Sequence, residues 1–252
     1  MDKTLFYPVG ISDSCRHASS FLERTGISLT DHPAPEITHL LLDVPTFDRE
    51  GKLRDGSDLK EFLRMLPKSI TVIGGNLDRD CLLGYQKTDL LRDPYYLARN
   101  ASITAECALR FAAPFLNTTF ADTSVLVLGW GRIGKCLAQK LTALGCSVTV
   151  AARKESDRAM LEALGYRAVD FSAVPKILPH YRILFNTVPD LPLHSDILDL
   201  WKKGIAIDLA SEPGMRGKNV IPARGLPGKY APESSGRLIA ETILRYVKER
   251  KL

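Results

Sequence analysis

An apolar run, Val125-Leu126-Val127-Leu128, leads directly into Gly129-Trp130-Gly131-Arg132-Ile133-Gly134. Beyond it, Ile133, Leu137, Leu141 and Leu144 recur at helical spacing, and Gly145 stands where a helix C-cap falls. A buried strand, a G-x-G-x-x-G turn and an amphipathic helix, in that order, form the context in which such a turn holds a dinucleotide. The hexapeptide alone would say little. Each glycine meets a separate demand: Gly129 permits the tight turn, Gly131 lets the backbone approach a pyrophosphate, and Gly134 allows helix and strand to pack closely. Trp130, Arg132 and Ile133 complete the expected cofactor-binding turn, with the pyrophosphate on the unpartnered N–H groups of the helix N-terminus. Gly129, Gly134 and Lys135 also satisfy most of the phosphate-loop pattern G-x-x-x-x-G-K-[ST]. Cys136 follows where magnesium binding needs a hydroxyl, so that match is read as coincidence.

The next strand, Val148-Thr149-Val150-Ala151, decides which nicotinamide nucleotide is expected. An NAD site places Asp or Glu at its end, on the ribose 2′-hydroxyl. This chain has Ala152-Arg153-Lys154 there. Two cations suit a 2′-phosphate, and arginine can grip phosphate through two parallel hydrogen bonds. The expectation is NADP(H), held through Ala152, Arg153 and Lys154 with help from Arg132. The alternative is that these cations are a solvated loop.

Further apolar strands are read at Ile183–Phe185, Ile205–Ile207 and Asn219–Ile221, with a helix over Asp157–Leu164. Strands apolar throughout belong between two helical layers. The first hundred residues also alternate, with strands at Leu5–Val9, Leu40–Val44 and Ile70–Ile73 and helices at Ser14–Arg24 and Asp58–Met65. The expected class is α/β with two α/β domains. Residues 1–99 form a flavodoxin-like or Rossmann-like domain, 100–120 an interdomain helix and linker, and 121–232 a doubly wound parallel Rossmann sheet. Residues 233–252 form a C-terminal helix packing back toward the first domain. The two domains are expected to enclose a cleft bridged by helices.

Composition removes several classes. The +5 net charge of these 252 residues is scattered, with no basic stripe for nucleic acid. No apolar run reaches membrane-spanning length. The first residues read as a strand rather than a signal peptide, so a cytoplasmic location is expected. The cysteines, five in number, form no C-x-x-C pair, which argues against a disulfide framework and a structural zinc site. No metal is expected.

Residues from about 95 to 250 resemble the A subunit of bacterial dipicolinate synthase. The motifs are Val127 to Gly134, Ala152-Arg153, Asn186-Thr187-Val188-Pro189, Ile207 to Gly214 (IDLASEPG) and, most specific, Gly225 to Pro232 (GLPGKYAP), with Gly236 beyond. Asn100, Thr104 and Glu106 look like the helix that joins the two domains in that family. The resemblance implies oxidation of dihydrodipicolinate to dipicolinate with NADP⁺ during sporulation, in the mother cell. It also implies a partner, the flavoprotein-like B subunit of dipicolinate synthase, and a homo-oligomer is expected. The chain departs from the pattern in a shorter first domain without a glycine turn after its first strand, in Glu233 where Lys is expected, and in His194 where an amide is expected.

Ligands of open α/β sheets bind beyond the carboxyl ends of the strands. Asn186, Thr187, Val188 and Pro189 are therefore expected along the nicotinamide ribose, and Leu226 and Pro227 at the nicotinamide pocket. Asp208 is a cofactor contact or a helix cap. Glu106 is the candidate base, with Thr104 and Ser211 as catalytic hydroxyls. The substrate is a small dicarboxylate. Asn100, Ser102, Ser234 and Ser235 are expected to bind it, with Arg224 or Lys229 as the cation. His194 could approach the same edge, although a solvated loop histidine is the commoner outcome. Two other functions stay open. A 2-hydroxy-acid dehydrogenase would need a cleft Arg and a Glu–His pair. A non-catalytic NADP-binding regulatory protein would bind nucleotide without turnover.

Overall fold

A computed structural model describes residues 4–189, 193 and 195–249. The chain forms two compact units. One comprises Met1–Asn100 with Pro227–Leu252, the other Ala101–Leu226.

The first unit holds five parallel strands, β1 (Leu5–Pro8), β2 (Ser28–Leu29), β3 (His39–Leu41), β4 (Thr71–Gly74) and β5 (Gln86–Asp89), in the order β2-β1-β3-β4-β5. This is the flavodoxin order. Helix α1 (Asp13–Arg24) starts where Ser12 Oγ accepts the Cys15 N–H at 3.2 Å, and α2 (Leu59–Arg64) where Asp58 accepts from Lys60 at 2.9 Å. Leu40, Leu42, Leu59, Ile70, Val72 and Leu82 pack beneath them, each almost fully buried. The C-terminal helix, α9 (Pro232–Lys248), lies against α1. Its Gly236 admits no side chain, because a Cβ there would stand 2.5 Å from the Ser14 carbonyl oxygen and 2.8 Å from the Ala18 nitrogen.

Helix α3 (Pro94–Ala112) crosses from the first unit into the second. It starts six residues before the expected Asn100, with Pro94 at its first position and the Asp93 carboxylate accepting the Tyr96 N–H at 2.7 Å. Asp93 also takes the Tyr246 hydroxyl at 2.5 Å and the Arg245 guanidinium, both from α9. Burial opposes its ionisation, but those bonds outweigh it and hold its carboxyl below the usual range.

In the second unit, β6 (Ser124–Leu128), β7 (Ser147–Ala151), β8 (Arg167–Val169), β9 (Ile183–Asn186), β10 (Ile205–Asp208) and β11 (Val220–Pro222) form one parallel sheet. Its order is β11-β10-β9-β6-β7-β8, the doubly wound Rossmann arrangement. Helices α4 (Arg132–Ala143) and α5 (Glu155–Ala163) follow β6 and β7. Short helices α6 (Val174–Ile177) and α7 (Ser195–Leu200) follow β8 and β9, and α8 (Leu226–Tyr230) starts at the boundary with the first unit. Leu126, Leu128, Leu184, Leu198 and Ala206 form much of the core.

Among the described residues, no helix is long and apolar enough to cross a membrane. All five cysteines are free thiols.

Candidate nucleotide-binding site

The turn after β6 has the shape its glycines predict. Gly129 takes φ +102°, and a Cβ there would meet the Thr187 hydroxyl at 2.6 Å. A Cβ on Gly134 would strike the Gly129 carbonyl oxygen at 2.1 Å, so helix and turn are in direct contact there. Gly131 differs. It is the N-cap of α4, offers no side-chain cap, and a Cβ on it would meet nothing within 4 Å. Among the described residues none accepts from the first N–H groups of α4, which leaves them available to an anion, a cradle at a helix N-terminus. Arg132 is exposed and Ile133 half-buried. Trp130 packs edge-on against Tyr166, with Lys135 over its ring.

The equivalent turn of the first unit is closed by its own chain. Asp43, from the end of β3, accepts the N–H groups of Ile11 and Ser12 at 3.1 Å each. A Cβ on Gly10 would meet Cys15 Sγ at 2.5 Å. One switch point is filled by a carboxylate, and at the other none of the described residues accepts from the helix N-terminus.

At the end of β7, Ala152 is buried and pairs with Val169, while Arg153 and Lys154 are exposed. The Arg153 guanidinium lies over the Phe171 ring. Lys154 is the N-cap of α5 and supplies no side-chain cap. Two residues that carry no sequence motif complete this corner. Arg158 bonds the carbonyls of Ala152 and Arg153 and pairs with Asp170 at 2.9 Å. Asp170 follows β8, a three-residue edge strand too short to show a periodicity, so spacing alone does not reveal the carboxylate. Hydrogen bonds from the Ser172 N–H and hydroxyl, and then the Arg158 charge, hold Asp170 below the usual carboxylate range. Glu155 and Asp157 also stand in the first turn of α5.

Asn186 and Asp208 form an internal strut between β9 and β10. Both are buried at paired positions of β9 and β10. Asn186 Nδ2 donates to Asp208 Oδ1 and to the Val188 carbonyl, at 2.8 Å each, and its Oδ1 accepts from Val188. Asp208 also receives Gly214 N–H at 3.0 Å. The pair shapes the strand ends. Thr187 hydrogen-bonds the Leu128 carbonyl at 2.8 Å, so Thr187 and Val188 wall the glycine turn. Pro189 and Ser211 are exposed at the same carboxyl edge, and Arg224 Nε donates to the Ala210 carbonyl at 3.0 Å beside them.

Other expected residues stand elsewhere. Glu106 pairs with Lys140 at 2.7 Å on the outer side of α3 and α4. Lys140 lies eight residues beyond Arg132, about 12 Å along the helix from the cradle. The Glu106 carboxylate expected as the base is engaged in that ion pair and is 68% exposed. The irregular loop expected over Gly225–Pro232 contains helix α8, with Leu226 buried. Pro227 and the exposed Lys229 belong to the first unit, as do Asn100, exposed Ser234 and buried Ser235. Ser102 is half-buried and Thr104 buried, both on the second-unit part of α3. His194 lies outside the described residues. A cavity of about 540 Å³, lined by Leu178, Pro179, Ile197, Leu200 and Trp201, sits where chain enters β9 and β10, the end opposite the ligand edge.

Residues 100–200 match the family described as D-isomer specific 2-hydroxyacid dehydrogenase, NAD binding domain. The chain is 29% identical over 159 residues to the dipicolinate synthase A subunit of Bacillus subtilis (strain 168), a match covering 60% of this chain and 54% of that protein. It thus spans about half the length of that relative. Two crystal structures extend the likeness over the fold. The dipicolinate synthase A subunit from Bacillus halodurans superposes with TM-score 0.80 at 22% identity, covering 96% of this chain and 97% of that one. Its counterpart from Bacillus subtilis superposes with TM-score 0.82 at 20% identity, covering 99% and 97%. Sheet order, glycine turn and these superpositions agree: the chain has the two-sheet, Rossmann-containing α/β fold of the dipicolinate synthase A subunit.

Proposed function

We propose that this chain is an NADP(H)-dependent oxidoreductase like the dipicolinate synthase A subunit, oxidising dihydrodipicolinate to dipicolinate. The observation that carries the nucleotide part is the open cradle at Gly131 beside the cationic Arg153–Lys154 loop. The likeness to the dipicolinate synthase A subunit carries the choice of substrate. A bound nicotinamide nucleotide supplies the hydride acceptor. The chain's own residues bind and orient. The first N–H groups of α4 would hold the pyrophosphate, and Arg153 and Lys154 would hold the 2′-phosphate. Thr187 and Val188 hold the turn in shape, and the Asn186–Asp208 strut fixes the ends of β9 and β10. Arg224 keeps guanidinium nitrogens for a substrate carboxylate, with Ser211 as a hydroxyl donor at that edge. Formation of an aromatic ring drives the reaction, so the proton can leave to solvent without a strong base. The same reading carries a flavoprotein-like B subunit, a homo-oligomeric assembly, and a cytoplasmic site of action in the mother cell of a sporulating bacterium.

The 100–200 match favours one second reading, a D-2-hydroxy-acid dehydrogenase. It would need a histidine with a carboxylate at the ligand edge. The described histidine of the second unit, His180, precedes β9 and stands at the opposite end.

The test generates dihydrodipicolinate in situ from pyruvate and aspartate semialdehyde with the lysine-pathway synthase, then adds this protein with NADP⁺ or NAD⁺, with and without a B subunit. Dipicolinate above the spontaneous background, matched by NADPH, is expected. Turnover of D-lactate or glycerate without dipicolinate would replace this reading with the second.

A further inference from the structure

The corner that reads the 2′ position has more acceptors than its sequence suggests. Between the end of β7 and the start of α5, the carbonyls of Ala152 and Arg153 could face a bound nucleotide, and so could the Asp170 carboxylate from the end of β8. All three converge on one nitrogen. Arg158 Nη1 stands 2.8 Å from the Ala152 oxygen, 2.8 Å from the Arg153 oxygen and 2.9 Å from Asp170 Oδ2. The other Asp170 oxygen accepts the Ser172 N–H at 3.0 Å and its hydroxyl at 2.7 Å. The Arg158 side chain is about three-quarters buried, 24% exposed. Arg153 is left pointing outward, its guanidinium 6.0 Å from the centre of the Phe171 ring. Phosphate recognition needs donors and positive charge, and a nearby carboxylate without a cationic partner repels a 2′-phosphate.

We propose that Arg158 is a specificity-determining positioning residue. By gathering two carbonyls and the Asp170 carboxylate, it withdraws these three acceptors from beside the cations Arg153 and Lys154; the exposed Glu155 in the first turn of α5 is the carboxylate it does not gather. This rests on the NADP(H) reading, and it locates the preference in a residue that need not touch the nucleotide. It also predicts that Asp170 becomes an NAD-favouring carboxylate once Arg158 is gone.

The experiment measures dissociation constants for NADPH and NADH by fluorescence titration, with thermal melting as the check on folding. The wild-type chain, Arg153→Ala, Arg158→Gln and the double variant Arg158→Gln/Asp170→Asn are compared. Freeing one negative charge near a phosphate is worth about tenfold at a surface dielectric. Arg158→Gln is therefore expected to weaken NADPH about tenfold and NADH less than about threefold. The double variant is expected to regain most of the NADPH loss. Equal weakening of both nucleotides would make Arg158 a merely structural residue and overturn the proposal. So would a double variant that regains nothing. A wild-type chain that prefers NADH, or an NADPH/NADH ratio untouched by Arg153→Ala, would instead sink the NADP(H) reading itself.

Discussion

Gly131 and Gly134 are three residues apart and are glycine for opposite reasons. Gly131 has open space where its side chain would be, and Gly134 has a carbonyl oxygen. Gly131→Ala should leave the melting temperature within about a degree of wild type, because the new methyl meets nothing of the protein. It should weaken NADPH binding at least about tenfold, because the methyl occupies the pyrophosphate approach. Gly134→Ala should instead lower stability by about 2–3 kcal/mol, since helix and turn must part. Calorimetry and nucleotide titration on both variants check this, and equal behaviour of the two would contradict the cradle. A second residue-scale expectation concerns His39. It is 6% exposed on β3, its ring stacks on Phe6 at 4.5 Å, and its Nε2 has no hydrogen-bond partner. Burial pushes its pKa down to about 4 from 6.5. The folded state resists protonation more than the unfolded chain does. The stabilisation is complete above pH 6.5 and is lost as pH falls toward 4, by up to about 3 kcal/mol. Urea midpoints at pH 7 and pH 4.5 should separate by less in His39→Gln than in wild type.

At the scale of elements, legibility in the sequence follows the strength of the periodicity. The run Val125–Leu128, the Leu137–Leu141 face of α4 and the Leu238, Ile239 and Ile243 face of α9 are legible because each is buried along its length. Strands β2, β5 and β8 are not. Gln86-Lys87-Thr88-Asp89 is a polar edge strand, and edge strands carry little apolar signal. Helix α3 begins ahead of its expected start, although Asp93 and Pro94 make a cap and a first-turn proline. Tertiary partners explain the importance of that start, since Asp93 is only 4% exposed and gathers Tyr96 N–H, Tyr246 and Arg245. Asp93→Ala should cost about 3 kcal/mol, combining a lost cap with an unpaired Arg245. Chemical denaturation would reveal it, and a loss below about 1 kcal/mol would reduce Asp93 to a simple cap. The candidate site divides the same way. The glycine turn and the Arg153–Lys154 pair are readable as local patterns. The Asn186–Asp208 strut, the Glu106–Lys140 pair and the Arg158–Asp170 corner join residues 22, 34 and 12 positions apart, and no spacing rule reaches them.

Across the whole molecule, two parallel sheets of related winding take different fates at their switch points. In the first, Asp43 occupies the place where an anion would bind. In the second, none of the described residues does. The division of labour is thus written in one carboxylate and one glycine, not in the topology that both sheets share. The second unit is one unbroken stretch, Ala101–Leu226, whereas the first is assembled from Met1–Asn100 and Pro227–Leu252. On a ribosome the two cannot mature together. The nucleotide-binding half has all its strands once Pro222 has emerged, and it can fold while synthesis continues. The half that holds β1 must wait for much later residues, because the helix that covers α1 is translated only after the other half is complete.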